Sequence, residues 1–237
     1  MTAKHETWSA KENALLVSLR KHKVSYSEIA TCFPRHSQDA CRQQFYMLSK
    51  DEPHWTEAEN IGFFDLETSN LKANIGILLS WAIKYRGGKV VHDLVTKKDI
   101  LSGQMDRRIM RSFLEEIKGV DVLVGYYSTR FDVPFARTRA IMLGMPFPKF
   151  GSQFHHDVYY SARYKLDLHS NRLDAVSHAL GCKNEKTGLD ISIWQKAQYG
   201  DAKSLSYILE HNDADVRVLE EVFEKLLPFI KMQRKSI

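Results

Sequence analysis

Two acidic residues, Asp65 and Glu67, follow a short apolar run in the stretch 61–68. A run of this kind is typical of a buried β-strand. Residues two apart on a strand point to the same face, so we expect the two carboxylates to lie together at the carboxyl end of the strand. Burying two like charges is costly unless a cation lies between them. Because oxygen ligands favour Mg²⁺ or Mn²⁺ over Zn²⁺, the pair predicts a divalent metal site, with solvated acids at a strand end as the alternative.

The composition of the 237-residue chain bounds the class of protein and its location. The longest apolar runs are shorter than a membrane span, and no apolar region follows the first residues as in a signal peptide. Cys32, Cys41 and Cys182 are odd in number and include no CxxC pair, which predicts a reducing compartment without disulfides or a zinc finger. We therefore expect a cytoplasmic or nucleoid-associated protein, of cellular or viral origin, with no membrane partner.

The charge distribution predicts two domains. The net charge is +5 and the pI is about 9.0, which is compatible with a nucleic-acid partner. Residues 1–50 hold eight Lys/Arg against four Asp/Glu, whereas residues 51–59 hold four acids and no base. This acidic break predicts a linker at residues 51–59, between a small domain over residues 1–50 and a larger domain over residues 60–237.

The first fifty residues contain three helix-start signals. Ser9 with Glu12 is a capping-box pattern, Ser25 or Ser27 can cap a second helix, and Ser37 a third. One large aromatic residue in each segment could seed a small core: Trp8, Tyr26 and Phe45.

Residues 8–48 resemble a single Myb/SANT-type helix-turn-helix repeat, with Tyr26 and Phe45 where that family usually has its second and third tryptophans. The resemblance implies that the third helix enters the major groove of DNA. Arginine and glutamine suit the edges of guanine and adenine. The candidate nucleic-acid contacts are Arg35, Gln38, Arg42, Gln43 and Lys50. The alternative is a SANT-like protein-interaction module.

Strand and helix patterns follow each other along the rest of the chain, which predicts an α/β fold. The predicted strands cover residues 61–68, 74–85, 89–95 and 120–126, with a hairpin turn at 86–89. The predicted helices cover residues 105–118, 131–143, 173–180, 193–199 and 204–229. Ser170 or Asn171 is the predicted cap of the helix over 173–180. Asp132 lies at a strand-to-helix junction, at the sheet edge where α/β folds build their sites.

On the last predicted helix, His211 and Asp215 are four residues apart and therefore share a face. An acid and an imidazole at this spacing are usually a surface pair. In combination with the earlier acids, however, they complete a recognisable order of motifs.

That order resembles the DEDD exonucleases of the RNase H-like superfamily, and over about residues 61–227 it is similar to the proofreading domain of family-B polymerases. Asp65 and Glu67 match the first motif, Asp132 the second and Asp215 the third. The stretch from Asp157 to Tyr160 also resembles that domain. The resemblance implies an RNase H-like mixed sheet flanked by helices, placed after the three-helix Myb/SANT-like domain.

The third motif departs from the family pattern. One branch has tyrosine four residues before the aspartate, and the other has histidine five residues before it. His211 combines the histidine of one branch with the spacing of the other, and Asp213 fits neither. The role of His211, as a general base or as a group that orients water, therefore stays open.

The resemblance implies a metal-dependent 3′→5′ exonuclease in which four carboxylates hold two Mg²⁺ or Mn²⁺ ions. His211 could accept the proton of the attacking water near neutral pH. Candidates for holding the 3′ end are Asn70, Tyr127 and Arg130, whereas Tyr126 and Phe131 are expected to pack.

Other functions remain open at this point. A structure-selective endonuclease would use the same site. A catalytically inert DNA-binding protein on the same scaffold is a further alternative, although the retention of all four acids argues against it. An integrase would not have its acids as close as Asp65 and Glu67. The expected partners are nucleic acid, with DNA favoured over RNA, and a replication or repair protein.

Overall fold

The computed structural model describes residues 7–48, 60–184, 190–230 and 235–237. Within these ranges three helices precede a mixed sheet that is flanked by further helices. The strands are β1 Ile61–Thr68, β2 Leu78–Tyr85, β3 Val90–Leu94, β4 Val122–Gly125, β5 Phe154–Asp157 and β6 Lys235–Ser236. The helices are α1 Ala10–Lys21, α2 Tyr26–Cys32, α3 Gln38–Leu48, α4 Lys97–Leu101, α5 Arg107–Glu116, α6 Asp132–Met142, α7 Val158–Lys165, α8 Leu173–Ala179, α9 Ile191–Ala197 and α10 Ala202–Leu226.

The six strands form one sheet in the order β3-β2-β1-β4-β5-β6. β1 pairs antiparallel with β2 and parallel with β4, and β4 pairs parallel with β5. β1 is therefore a central strand, and the carboxyl ends of β1, β4 and β5 lie at the same edge of the sheet. Sites in α/β folds form at such an edge.

The alternation of side chains along β1 divides the core between the two faces of the sheet. Phe64 and Leu66 belong to the cluster that contains the buried residues of α5 and α6. Ile61 and Phe63 belong to the cluster that contains those of α7, α8 and the part of α10 from Val216 onward, and the Phe63 ring meets that of Phe223 edge to face at 5.2 Å. Asp65 and Glu67 continue the row of Ile61 and Phe63.

The longest helix, α10, has 25 residues and packs on β1 and β2. Its apolar positions recur at helical spacing and are buried, whereas its other face carries charged residues. None of the helices in the described ranges combines the length and the apolar character needed to cross a membrane.

The capping signals predicted for the first helices are confirmed. Ser9 and Glu12 form a capping box at α1, and Ser25 forms one with Glu28 at α2. The Ser37 hydroxyl accepts a hydrogen bond from the Ala40 N–H at 3.1 Å. These two capping boxes fix where α1 and α2 begin. The inner faces of the three helices build a small separate core: Leu16, Tyr26, Ile29, Phe33, Cys41 and Phe45.

The three N-terminal helices pack against the amino ends of the parallel strands. Arg20 of α1 forms a buried ion pair with Asp121, which immediately precedes β4. The Asn60 N–H, just before β1, donates to the same carboxylate at 2.8 Å. The Arg42 guanidinium of α3 lies 5.7 Å from the ring centroid of Phe154, the first residue of β5.

Two local predictions were wrong, and four elements were missed. β2 begins at Leu78 rather than at residue 74, because the Ser69 hydroxyl accepts from the Ile77 N–H at 2.9 Å and residues 69–77 turn. Neither Ser170 nor Asn171 is the N-cap of α8, since Arg172 occupies that position without a side-chain hydrogen bond. The sequence patterns also did not predict α4, β5, α7 or β6.

Candidate active site

The site is built around the carboxyl end of β1. Because Ile61 and Phe63 face the core beneath α10, the strand's alternation turns Asp65 and Glu67 towards the same helix. Both acids are partly buried. On this face of β1, two apolar side chains are thus followed by two carboxylates.

Helix α10 supplies three buried polar residues opposite these acids: His211, Asn212 and Asp215. The His211 Nε2 atom lies 3.7 Å from Glu67 Oε1 and 3.8 Å from Asp215 Oδ2. The Asn212 amide donates a hydrogen bond of 2.8 Å to Asp65 Oδ2. One turn of a single helix therefore contacts both acids of β1.

Asp132 completes the cluster from the first residue of α6. Its Oδ1 atom accepts a hydrogen bond of 3.2 Å from the Leu66 N–H, which lies between the two acids of β1. Burial raises the pKa of Asp132 to about 7, and the nearby Asp157 carboxyl adds to the rise. A divalent cation beside this carboxyl would favour its charged form.

The chemistry of these side chains fits a divalent metal ion. Glu67, His211 and Asp215 each offer one ligand atom, and these atoms lie within 4.8 Å of one another. Asp65 and Asp132 add carboxylate oxygens at the same end of β1. A set dominated by carboxylates is the kind that holds Mg²⁺ or Mn²⁺.

Asp157, at the end of β5, organises the loop that leads to Asp132. Its carboxylate accepts hydrogen bonds from the backbone N–H groups of Tyr127 at 2.8 Å and Thr129 at 2.9 Å. The same carboxylate caps α7 by accepting from the Tyr159 N–H at 3.1 Å. Asp157 therefore joins the loop over 127–131 to the start of α7.

The residues predicted to hold a 3′ end occupy different settings. Tyr127 and Arg130 are exposed on the loop before Asp132, and Arg130 Nε donates to the Tyr160 hydroxyl at 3.3 Å. Asn70 lies in the turn after β1, where its side chain accepts from the Lys72 N–H at 3.0 Å. Asn70 thus has a local structural role in addition to its predicted one.

The candidate DNA contacts of the N-terminal helices differ in their exposure to solvent. Arg42 is 2% exposed and lies between Tyr26 and Phe154, so the prediction that it faces the solvent was wrong. The packing of α3 on the sheet covers this side chain. Arg35 is exposed and pairs with Glu12 at 2.9 Å, Gln43 is exposed and Gln38 is half-buried. Lys50, like the predicted linker, lies outside the described residues.

Two contributors were not predicted. Asn212 belongs to no motif in the sequence, and its contact with Asp65 depends on how the helix meets β1. The Trp194 ring of α9 packs edge-on to the His211 ring at 5.7 Å. Asp213, on the same turn of α10, instead binds the His92 ring nitrogen of β3 at 2.8 Å. The one available signal was the position of Asn212 three residues before Asp215, a spacing that puts these two side chains on one face of the helix.

The fold and the site together define an α/β protein with a carboxylate centre on the central strand of a mixed sheet. A family model of the RNase H superfamily matches residues 62–227, and the chain belongs to that superfamily. The predicted RNase H-like fold is thereby confirmed.

Two proteins show the similarity in more detail. The chain is 31% identical over 145 residues to DNA polymerase 2 of Aeropyrum pernix. The matched region covers 52% of this chain and 18% of that protein. Its fold is similar to that of the family B DNA polymerase from the archaeon Pyrobaculum calidifontis, with a TM-score of 0.59 and 23% identity over 72% of this chain and 25% of the other. The chain therefore spans about a quarter or less of the length of these two proteins.

Proposed function

We propose that the protein is a metal-dependent 3′→5′ exonuclease that releases mononucleotides from nucleic acid. The observation that carries the proposal is the gathering of Asp65, Glu67, Asp132 and Asp215 around the carboxyl end of β1. Membership of the RNase H superfamily and the similarity to DNA polymerases support a nuclease function in general. The direction of hydrolysis rests on the resemblance of the motifs to a proofreading domain.

In this proposal the four carboxylates hold two Mg²⁺ or Mn²⁺ ions, which when bound supply an activated water and stabilise charge on the phosphodiester. The other groups keep the acids in place. Asn212 fixes one oxygen of Asp65, and the Leu66 N–H fixes one oxygen of Asp132. Such supporting hydrogen bonds determine how well ligands are oriented.

In this proposal His211 accepts the proton of the attacking water. Its Nε2 atom lies 3.7 Å from Glu67 Oε1 and 3.8 Å from Asp215 Oδ2. The Trp194 ring restricts the orientation of the imidazole. His211 would therefore accept a proton at Nε2 and hold it between the two acids.

The test uses the full chain with 5′-labelled single- and double-stranded DNA and RNA, each incubated with Mg²⁺, with Mn²⁺ or with chelator. The expected result is a ladder that shortens one nucleotide at a time and disappears with chelator. A few internal cuts would instead establish an endonuclease at the same site. Retained binding without cleavage under any metal would show an inactive scaffold.

A matched pair of variants on α10 controls the experiment. Asp215→Asn should abolish cleavage, whereas Asp213→Asn, two residues away on the same turn, should retain it. Asp213 binds His92 on β3 rather than the acids of β1. Equal loss of activity in both variants would contradict the assignment of Asp215.

The proposal includes nucleic-acid contacts by the N-terminal helices, which match a Myb/SANT-type repeat in pattern. The exposed Gln43 and Arg35 are the remaining candidates, and Gln43→Glu should weaken DNA binding without changing the hydrolysis of short substrates. DNA is the preferred substrate because the similar proteins are named DNA polymerases. A replication or repair partner and a reducing, intracellular location complete the proposal.

A further inference from the structure

A continuous row of tyrosine rings leads away from the carboxylate centre, from the loop before Asp132 along α7. The ring centroids of Tyr127 and Tyr159 are 4.9 Å apart, and those of Tyr159 and Tyr160 are 5.2 Å apart. The row continues to Tyr164 one turn later, whose ring is stacked with that of Tyr160 at 6.5 Å. We call these four residues the tyrosine track.

The track is exposed at its two ends, half-buried at Tyr159 and Tyr160, and flanked by arginines. Tyr127 is 47% exposed and Tyr164 is 75% exposed. Arg130 Nε donates to the Tyr160 hydroxyl at 3.3 Å, and the exposed Arg163 lies 3.5 Å from the Tyr159 hydroxyl. Exposed aromatic faces beside guanidinium groups match bases joined by phosphates.

The backbone that presents Tyr127 is held in an unusual conformation. Its φ angle is +59°, in the left-handed region that side chains other than glycine seldom adopt. Asp157 stabilises this conformation by accepting the Tyr127 N–H, and it also caps the helix that carries the other three tyrosines. Strain of this kind is concentrated at functional sites.

We propose that the tyrosine track binds a single-stranded nucleic acid and leads its 3′ end to the carboxylate centre. The proposal rests on the proposed function and adds the form of its substrate. Stacking needs the faces of unpaired bases, which an intact duplex does not offer. The loop from Tyr127 ends at Asp132, so the track begins five residues before a member of the carboxylate centre.

The test measures binding separately from cleavage. Fluorescently labelled oligo(dT) is titrated with the full chain in the presence of chelator, and anisotropy gives the affinity. The double substitution Tyr160→Ala with Tyr164→Ala should weaken binding by at least roughly tenfold, because stacking contributes about 1–3 kcal/mol per base. The control is Phe150→Ala, which removes a 91% exposed ring that precedes β5 and lies away from α7. The melting temperatures of all variants show that they remain folded.

Two further measurements sharpen the result. Arg163→Gln should lower the salt dependence of binding by about 0.7 in log–log slope, the loss of one single-strand phosphate contact. The double substitution should leave the affinity for blunt duplex DNA unchanged, because the proposed duplex contacts lie on the N-terminal helices. Equal binding of oligo(U) would still support the track, since stacking does not require deoxyribose.

Failure of this inference is distinguishable from failure of the proposed function. The p-nitrophenyl ester of thymidine 5′-phosphate is too small to reach Tyr164, so the Tyr164→Ala variant should hydrolyse it at the wild-type rate while degrading oligo(dT) more slowly. Absence of any hydrolysis by the wild type would reject the exonuclease but leave the binding test intact. Unchanged oligo(dT) affinity in the double variant, or an equal loss of affinity for oligo(dT) and for duplex, would overturn the track.

Discussion

Asp132 makes a buried hydrogen bond, but burial also disfavours the ionised form of its carboxyl. Its carboxyl is enclosed at the start of α6 and accepts the Leu66 N–H. Desolvation raises its pKa from an ordinary 3.8 to about 7. Without a cation the folded protein therefore binds a proton here that the unfolded chain would release above its ordinary pKa.

This shift predicts how stability depends on pH. A raised carboxyl pKa contributes stability that is fully present below about pH 4 and is lost as pH rises towards 7. Asp132→Asn keeps the oxygen that accepts the Leu66 N–H and removes the titration. We expect it to stabilise the metal-free protein at pH 8 by an order of a few kcal/mol and to have a smaller effect near pH 4.

Urea unfolding of both proteins at the two pH values, with chelator, measures this difference. Added Mg²⁺ or Mn²⁺ should reverse it, because only the carboxylate of the native residue binds the ion. An equal free-energy difference at both pH values would show that Asp132 keeps an ordinary pKa.

Asn212 offers a second prediction at this scale. Its amide holds Asp65 at 2.8 Å and lies buried beside His211. Asn212→Ala should lower metal affinity or activity about 10–100-fold, as expected when a ligand loses its orienting hydrogen bond. The measurement is Mn²⁺ titration together with exonuclease rate, and Asp213→Asn is the neighbouring control. Wild-type affinity and rate in Asn212→Ala would assign the residue to packing alone.

The candidate site could be predicted from the sequence to the extent that residue types and spacing repeat a motif. Asp65, Glu67, Asp132, His211 and Asp215 were predicted in this way, and the structure brings them together at one end of β1. The Asn212 contact could not be predicted, because an asparagine beside a histidine has no spacing of its own. Its partner is decided only by how α10 crosses β1.

At the scale of the secondary-structure elements, Gly125 at the end of β4 is required by close packing. A Cβ atom there would lie 2.2 Å from Ser128 Oγ and 2.9 Å from Phe64 Cε1. The Ser128 hydroxyl is itself fixed 2.8 Å from His155 Nε2, so it cannot easily move away. Glycine therefore lets the chain turn from β4 into the loop before Asp132.

We expect Gly125→Ala to lower the free energy of unfolding by about 1–3 kcal/mol, the usual cost of overpacking. Gly119→Ala is the control, because its nearest neighbour would be the Tyr85 hydroxyl at 3.9 Å. Denaturant unfolding of both variants measures the difference. A Gly125→Ala variant as stable as Gly119→Ala would show that the β4 turn adjusts freely.

The elements themselves were predictable where their patterns are long. The helices α1, α5 and α10 and the strand β1 follow from apolar periodicity and caps. β5 could not be predicted, because its four residues are Phe154-His155-His156-Asp157 and show no alternation. Its strand conformation is imposed by pairing with β4, which is a contact between distant parts of the chain.

For the whole molecule, the buried pair of Arg20 and Asp121 is the specific polar link between the N-terminal helices and the sheet. Arg20→Met or Asp121→Asn leaves a buried group without its partner, and each should cost about 3–5 kcal/mol. The double variant should cost less than the sum, as coupled residues do. Denaturant unfolding of the four proteins gives the coupling energy.

The ion pair of Arg35 with Glu12 provides the comparison, and Arg35→Met, which removes its exposed partner and leaves the capping box intact, should change stability little. Additive costs for Arg20 and Asp121 would show that the helices and the sheet unfold independently. The burial of Arg42 has the same origin as this link. An isolated three-helix pattern places Arg42 on the outside, and only the arrival of Phe154 from a distant strand covers it.

The packing of the helices at the amino ends of the strands also sets the length of nucleic acid that can contact both the helices and the carboxylates. Seven residues of extended chain separate Asn60, beside those helices, from Glu67 at the acids. At about 3.3 Å per residue this is a span of roughly 23 Å. A nucleic acid that touches both ends must then be about seven nucleotides long at 3.4 Å per step. Shorter oligonucleotides contact either the helices or the carboxylates but not both. We expect them to dissociate and to accumulate as the final products of digestion.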